Sequence, residues 1–265
     1  MKKNKRKNRS HDTAKVLDAK SPFAVSEGFN QLRTNLMYAT PADDACPVYA
    51  ITSVREASGK STVMANLAVS FSQIGKRVLL IDGDMRCPTI YNYFSLEKRR
   101  KGLSELLSGI ETEEVATEVR PNLFVITSGR IPPNPSELLS SPKMKELLAE
   151  WKQTYDAIFL DFPPMGVVSD CVILSDEITG YIFTIHSGSD QANSVLFTID
   201  AMEQIGAKIL GTVLNDFDPK ASSSYSSYNY RSRYSTYYAS SYVKQAADLQ
   251  KSLEAEEKKE KKDQK

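Results

Sequence analysis

The sequence contains no apolar run longer than about eight residues, and a helix needs roughly twenty to cross a bilayer, so no membrane-spanning segment is expected. The basic start, with Lys2, Lys3, Lys5, Arg6, Lys7 and Arg9, has no apolar stretch behind it and does not read as a signal peptide. It reads as a solvated arm over 1–21, able to touch anionic lipid or an acidic partner. Cysteine is scarce. Cys46, Cys87 and Cys171 lie far apart without CxxC spacing, which fits reduced, mostly structural thiols in the cytosol. Excess charge is lacking too: 34 Lys and Arg against 33 Asp and Glu leave +1, which argues against bulk attraction to nucleic acid. With 41% hydrophobic and 25% charged residues, the 265-residue chain has the composition of a soluble globular protein of one large domain or two small ones.

What the chain does have is an alternation. Branched apolar runs at 48–52, 77–82, 123–127, 157–161, 181–185 and 209–215 read as buried parallel strands. Helical spacing between them predicts helices at 61–73, 103–107, 144–151, 170–174 and 192–204. An earlier amphipathic helix is expected from about Val25 to Tyr38, with Glu27, Asn30 and Arg33 every three residues along its polar side. Alternating strands and helices imply an α/β fold: a doubly wound, mostly parallel sheet flanked by helices, of the P-loop type. Ligands in such sheets bind at the carboxyl ends of the strands.

The stretch Ile51 to Thr62, ITSVREASGKST, carries the first chemistry. An apolar strand runs into a loop whose Gly59-Lys60-Ser61 opens a helix. Backbone N–H groups at such a helix start cradle phosphate oxygens, Lys60 reaches the outer phosphates, and the Ser61 hydroxyl suits Mg²⁺. The pattern G-x-x-x-x-G-K-[ST] is incomplete, because Val54 stands where its first glycine belongs. Two further strands end in carboxylates: Asp82-Gly83-Asp84, followed by Met85-Arg86, and Asp161, followed by Phe162-Pro163-Pro164. Carboxylates beside a phosphate loop would repel a nucleotide without a cation, and they are hard oxygen ligands for Mg²⁺. Together the three motifs predict a Mg²⁺-nucleotide site.

Beyond Asp216 the composition changes. Tyr225, Tyr228, Tyr230, Tyr234, Tyr237, Tyr238 and Tyr242 are interleaved with Ser, Thr, Asn and Arg, with hardly an aliphatic residue to bury. Stacking on single-stranded nucleic acid would suit the tyrosines, but only Arg231 and Arg233 supply charge. From about Gln245 onward Lys and Glu mix in nearly equal number. The expected organisation is therefore an arm (1–21), a P-loop domain (22–218) and a tail (219–265).

The motifs LLIDGDMR and AIFLDFPP, the helix bearing RTNL, the stretches at 102–109 and 132–139, and the tyrosine-rich tail resemble the bacterial tyrosine kinases of capsular and exopolysaccharide synthesis. The resemblance covers roughly residues 22–242. It implies that Ser58, Gly59, Lys60, Ser61 and Thr62 bind ATP phosphates, with Arg86 nearby, and that Asn215 meets the adenine. It further implies Mg²⁺ on Ser61, Asp82 and Asp161, catalysis by Lys60, Asp82, Asp84 and Asp161, and phosphorylation of the seven tail tyrosines, in trans between subunits of a ring. Asp84 is the expected proton acceptor. Glu27, Asn30 and Arg33 fall in the family's subunit-joining pattern Glu-x-x-Arg-x-x-Arg, with Asn30 in place of its first Arg. The implied partners are a separate transmembrane adaptor of polysaccharide co-polymerase type, further copies of the chain and a protein-tyrosine phosphatase. The implied place is the cytoplasm, at the inner face of the membrane. Two alternatives stay open: a weakly active nucleotide-binding scaffold, motivated by Glu56 and Ala57, and a partition-type ATPase, whose signature lysine would fall where Arg55 stands. Ala57 would cost on the order of 1 kcal/mol if its φ must be positive. His186 reads as a buried structural histidine.

Overall fold

The computed structural model describes residues 16–110, 115–167 and 170–217. The chain divides into a main unit, Met1–Lys20 with Phe29–Phe217, and a second, Ser21–Gly28 with Asp218–Lys265, of which only Ser21–Gly28 is described. The elements are α1 (Phe23–Ala39), β1 (Val48–Ser53), α2 (Lys60–Ser72), β2 (Val78–Asp82), α3 (Ile90–Tyr93), α4 (Leu103–Leu107), β3 (Thr117–Arg120), β4 (Leu123–Ile126), α5 (Pro135–Leu139), α6 (Pro142–Trp151), β5 (Ala157–Asp161), β6 (Gly180–His186), α7 (Ala192–Gln204) and β7 (Ile209–Asn215). The seven strands form one sheet in the order β3-β4-β2-β5-β1-β6-β7, parallel throughout except where β3 meets β4.

Every residue of β1, β2 and β5 is buried, and the alternation of their side chains shows why the runs are continuously apolar. Val48, Ala50, Leu79, Ile81, Ile158 and Leu160 enter one core, while Tyr49, Ile51, Val78, Leu80, Ala157 and Phe159 enter the other, so both faces need apolar groups. The second core holds α2. Phe71 packs on Phe159 and Tyr49 with ring centroids 5.1 and 5.9 Å apart, and burying each such ring contributes roughly 1.5–3 kcal/mol. These rings fix the last turn of α2 near the amino ends of β1 and β5, and its first turn follows the loop that leaves the carboxyl end of β1.

Three expectations are corrected. The helix expected at 170–174 is replaced by short 3₁₀ turns at Asp170–Val172 and Ser175–Glu177, where the Asp170 carboxylate is held by Arg86 and Ser136 instead of serving a helix start. β3 reads TEVR, a half-exposed edge strand without an apolar run, and so gave no strand signal. His186 is half-buried rather than buried, with Nε2 3.6 Å from Asp216 Oδ2.

Candidate active site

β1 ends at Ser53, and the chain turns through 54–59 into α2. Ala57 has φ 59° and Gly59 φ 90°, both in the left-handed region. A Cβ on Gly59 would lie 2.0 Å from Asn215 Nδ2, so only glycine fits there. Ala57 has no such excuse. Replacing it by glycine is expected to stabilise the chain by roughly 1 kcal/mol in denaturant unfolding, because the left-handed conformation strains Cβ. The start of α2 has no side-chain cap. Its first N–H groups therefore point outward unsatisfied, as an anion site requires.

Behind this loop stand the carboxylates. Asp82 and Asp161 are Cα partners on adjacent strands and both are fully buried. Asp82 Oδ2 accepts the N–H groups of Thr89 and Ile90, each at 3.0 Å, whereas Asp82 Oδ1 and both Asp161 oxygens have no hydrogen-bond partner among the described residues. Burial, then the neighbouring Asp161, pushes the Asp82 carboxyl well above the usual range. Burial likewise raises Asp161 to about 6, against the pull of the Lys60 ammonium and the Ser61 hydroxyl. Such orphaned buried oxygens are rare and expensive unless something completes them. No three acidic, His or Cys groups converge into a metal cage among the described residues. Mg²⁺ takes one or two protein carboxylates and leaves its other positions to phosphate and water, so Asp82 and Asp161 are the residues that could hold it.

A cleft of about 420 Å³ is lined by Glu56, Ala57, Gly59, Lys60, Ser61 and Thr62 from the loop and α2, and by Asp84, Arg86, Cys87, Thr89, Tyr93 and residues after β5, with neither Asp82 nor Asp161 in its lining. Asp84 reaches the lining with its Oδ1 held by the N–H groups of Arg86 and Cys87, at 3.1 and 2.9 Å. Asp82 sits behind it. Several site expectations change in detail. The Ser58 hydroxyl is buried and donates to Arg55 O, so only its backbone can serve a phosphate. Asn215 Nδ2 donates to Ser58 O at 3.1 Å, which gives this side chain a loop-bracing contact. Arg86 is held by Asp170 through two bonds, 2.8 and 3.2 Å, and by Ser136 at 3.1 Å, which limits its reach toward a nucleotide. Arg55 is tied to Asp190 at 2.5 Å and to Ser189, leaving it engaged within its own chain. Glu56 does face the cleft.

Sequence reasoning missed Tyr93, Asp170 and Asp190. Tyr93 Oη bonds Thr62 Oγ1 at 2.8 Å, and burial raises its phenol pKa. None of these residues belongs to a local motif; Asp170 meets Arg86 across 84 positions of sequence. The cysteines divide. Burial raises the Cys46 thiol to about 11 and Cys171 to about 12, while Cys87 is exposed.

On α1, Arg33 Nη1 donates to Ser70 O and Ser70 Oγ, both at 2.7 Å, and to Asn30 Oδ1 at 3.1 Å. Arg33 and Asn30 thus bind α2 of their own chain. Glu27 is exposed. The seven tail tyrosines and residues 1–15 of the arm lie outside the described residues; Leu17, expected in the solvated arm, is instead buried, with its N–H donating to Asn66 Oδ1 at 2.6 Å. No helix among the described residues is long and apolar enough to cross a membrane.

Residues 49–257 match the CbiA family, described as the CobQ/CobB/MinD/ParA nucleotide binding domain. Tyrosine-protein kinase YwqD of Bacillus subtilis (strain 168) is 39% identical over 229 residues, 85% of this chain and 94% of that protein. Tyrosine-protein kinase CpsD of Streptococcus agalactiae serotype III (strain NEM316) is 36% identical over 204 residues, 76% of this chain and 87% of that protein. Among solved structures, the kinase domain of Escherichia coli tyrosine kinase ETK superposes with a TM-score of 0.70 at 33% identity, covering 76% of this chain and 79% of that one.

Proposed function

This chain belongs to the bacterial tyrosine-protein kinases, and from that premise we propose that it transfers the γ-phosphoryl group of ATP to tyrosines of its own 225–242 segment, in trans, to regulate capsular or exopolysaccharide synthesis and export. The observation that carries the reading is the set of buried, unpartnered oxygens of Asp82 and Asp161 beside an uncapped helix start. An ATP site is what makes both halves of that arrangement useful. The uncapped N–H groups and Lys60 bind the phosphates, and Asp82, Asp161 and the Ser61 hydroxyl would hold Mg²⁺. Bound there, Mg²⁺ supplies charge neutralisation for the transferring phosphoryl group. Asp84, on the cleft wall, accepts the proton of the incoming phenol as its oxygen bonds phosphorus; a phenol of pKa about 10 is scarcely ionised at neutral pH. Asn215 braces the loop from behind, and the base rests nearby. The arm at 1–21 and the tail at 219–265 flank this catalytic domain. The chain works in the cytoplasm, at the inner face of the membrane through a separate transmembrane adaptor. It assembles with copies of itself, and a tyrosine phosphatase reverses its modification.

The test is direct. Purified protein is incubated with ATP and Mg²⁺, with and without the cytoplasmic end of the adaptor, and phosphotyrosine is mapped by mass spectrometry. Changing all seven tail tyrosines to Phe should remove most of the signal and leave ATP binding unchanged. Tyr49 and Tyr155 are buried, so the exposed Tyr38 is the acceptor that would overturn the tail assignment. Absence of signal from the wild type under either condition would favour the scaffold reading that the strained Ala57 motivates.

A further inference from the structure

Cys87 and Thr89 line the nucleotide cleft, while the residue between them, Pro88, lines a second cleft of about 440 Å³ with Lys98, Arg99, Gly129, Arg130 and Ile131. Two segments far apart in sequence bring these cations together, one between α3 and α4 and one after β4. A buried carboxylate clamps the segments to each other. Glu105 Oε2 accepts the Gly102 N–H at 2.9 Å and the Ser104 hydroxyl at 3.0 Å, while Oε1 accepts the Arg130 N–H at 3.2 Å. Gly102 and Gly129 approach so closely that a Cβ on Gly102 would fall 2.5 Å from Gly129 N. The cleft is therefore a built feature of the fold.

Its charge is largely uncompensated. Lys98 and Arg99 are exposed and have no carboxylate partner among the described residues; Lys98 Nζ lies 5.8 Å from the Tyr91 ring. The Arg130 guanidinium is mostly exposed but forms an ion pair with Glu105 at 3.9 Å, so it is the partly compensated cation of the three. Arg100, by contrast, is spent on Val115 O and Thr117 Oγ1. Two guanidiniums and an ammonium converging beside a phosphoryl-transfer site suit a phosphate monoester, which arginine binds through paired N–H groups.

We infer that this second cleft binds a phosphotyrosine of the 225–242 segment from another copy of the chain, holding the segment so that a neighbouring tyrosine enters the nucleotide cleft. The inference rests on the function proposed above. Three points select this occupant. Successive tyrosines are one to four residues apart, so an extended segment separates them by at most about 14 Å, while adjacent residues of one strand of chain line the two clefts, Cys87 and Thr89 the first and Pro88 the second. The segment from Tyr225 to Tyr242 contains Arg231 and Arg233 and no Asp or Glu, so its unmodified form is repelled by the cations. Each phosphate then adds about −1.5 to −2 charges and reverses that sign. The first transfer is consequently slow, and later ones on the same segment are faster.

The experiment uses the full chain and a peptide of residues 225–242, unmodified or phosphorylated on Tyr234, with binding read by fluorescence anisotropy under saturating ADP and Mg²⁺. The phosphopeptide should bind at least about tenfold tighter than the unmodified peptide, and Arg99→Ala with Arg130→Ala should abolish that difference. Lys98→Ala should reduce it in part. In the kinase assay the phosphopeptide should accept further phosphate faster than the unmodified peptide, with the advantage lost in the double variant. Equal binding of the two peptides, or binding indifferent to the double variant, overturns the inference. So does phosphopeptide binding that appears only when ADP is omitted, or stronger binding of the full chain to phosphatidylserine vesicles through the same three residues. Failure of the parent reading looks different: wild-type protein would transfer no phosphate to any tyrosine, whatever the binding result.

Discussion

Replacing Lys60 by methionine lowers the rate of phosphotyrosine formation by at least about a hundredfold, the scale on which losing one charge-stabilising donor at a phosphoryl group is felt. The side chain is held for this task. Lys60 is 92% buried, opens α2 within the cleft lining, and has the carboxylate of Asp161 close enough to lower that group's pKa. Removing its charge acts twice. The γ-phosphate loses its cation, and Asp161, deprived of the Lys60 ammonium, holds its proton to higher pH and binds Mg²⁺ less readily. The variant should therefore need a higher Mg²⁺ concentration for half-maximal nucleotide binding as well as turning over slowly. A Mg²⁺ titration of fluorescent ATP-analogue binding, run beside the phosphotyrosine assay, separates the two effects. Unchanged activity in Lys60→Met would assign the observed transfer to a contaminating kinase.

Asp161→Asn should abolish activity yet stabilise the protein free of nucleotide and Mg²⁺. Buried without a hydrogen-bond partner, the Asp161 carboxyl titrates at about 6 in the folded chain against 3.8 for an ordinary aspartate. Between those values the folded state holds a proton that the unfolded chain has released. Stability contributed by this group is full below about pH 4, falls as pH rises to about 6, and stays lower above it. The interval corresponds to about 3 kcal/mol at neutral pH, since one pKa unit is worth 1.36 kcal/mol. The amide cannot ionise, so the gain in Asp161→Asn should be greatest near pH 7.5 and vanish near pH 4. Saturating Mg²⁺-ATP should reverse the order, because the cation stabilises the wild-type anion and finds no charge in the variant. Denaturant midpoints at the two pH values, with and without Mg²⁺-ATP, decide the matter. A destabilised variant at pH 7.5 without ligand would mean that Asp161 has a partner already.

Much of this architecture was legible in the chain because its causes are local. β1, β2 and β5 announce themselves through continuous apolar runs, which only a sheet covered on both faces can absorb. The helix at Ala192–Gln204 and the short Leu103–Leu107 were legible through periodicity. Gly59-Lys60-Ser61 and the strand-ending aspartates were legible because phosphate and Mg²⁺ chemistry restricts the residue types that can serve. β3 was not, since a four-residue polar edge strand lacks any periodic signature. The 170–174 segment misled because Asp170 is taken by Arg86 and Ser136, distant partners that local spacing does not reveal.

The sequence by itself determined which groups carry the chemistry and that a strand, a loop and a helix deliver them. Strand order and register then decided their company. Pairing β2 with β5 sets Asp82 against Asp161 and raises both acids, while the bend after β2 leaves Asp84 on the cleft wall. Arg33 folds onto Ser70, Arg86 onto Asp170, and Arg55 onto Asp190, each over a sequence separation that no motif spans. Lys98, Arg99 and Arg130 read in sequence as ordinary surface charges, and they converge only because Glu105 ties two loops together. The stretch from Ile51 to Thr62 makes the same division. Its phosphate-binding character follows from residue type, but that Ala57 must sit at φ 59° follows from a helix clamped over three strands, which fixes how the loop can turn.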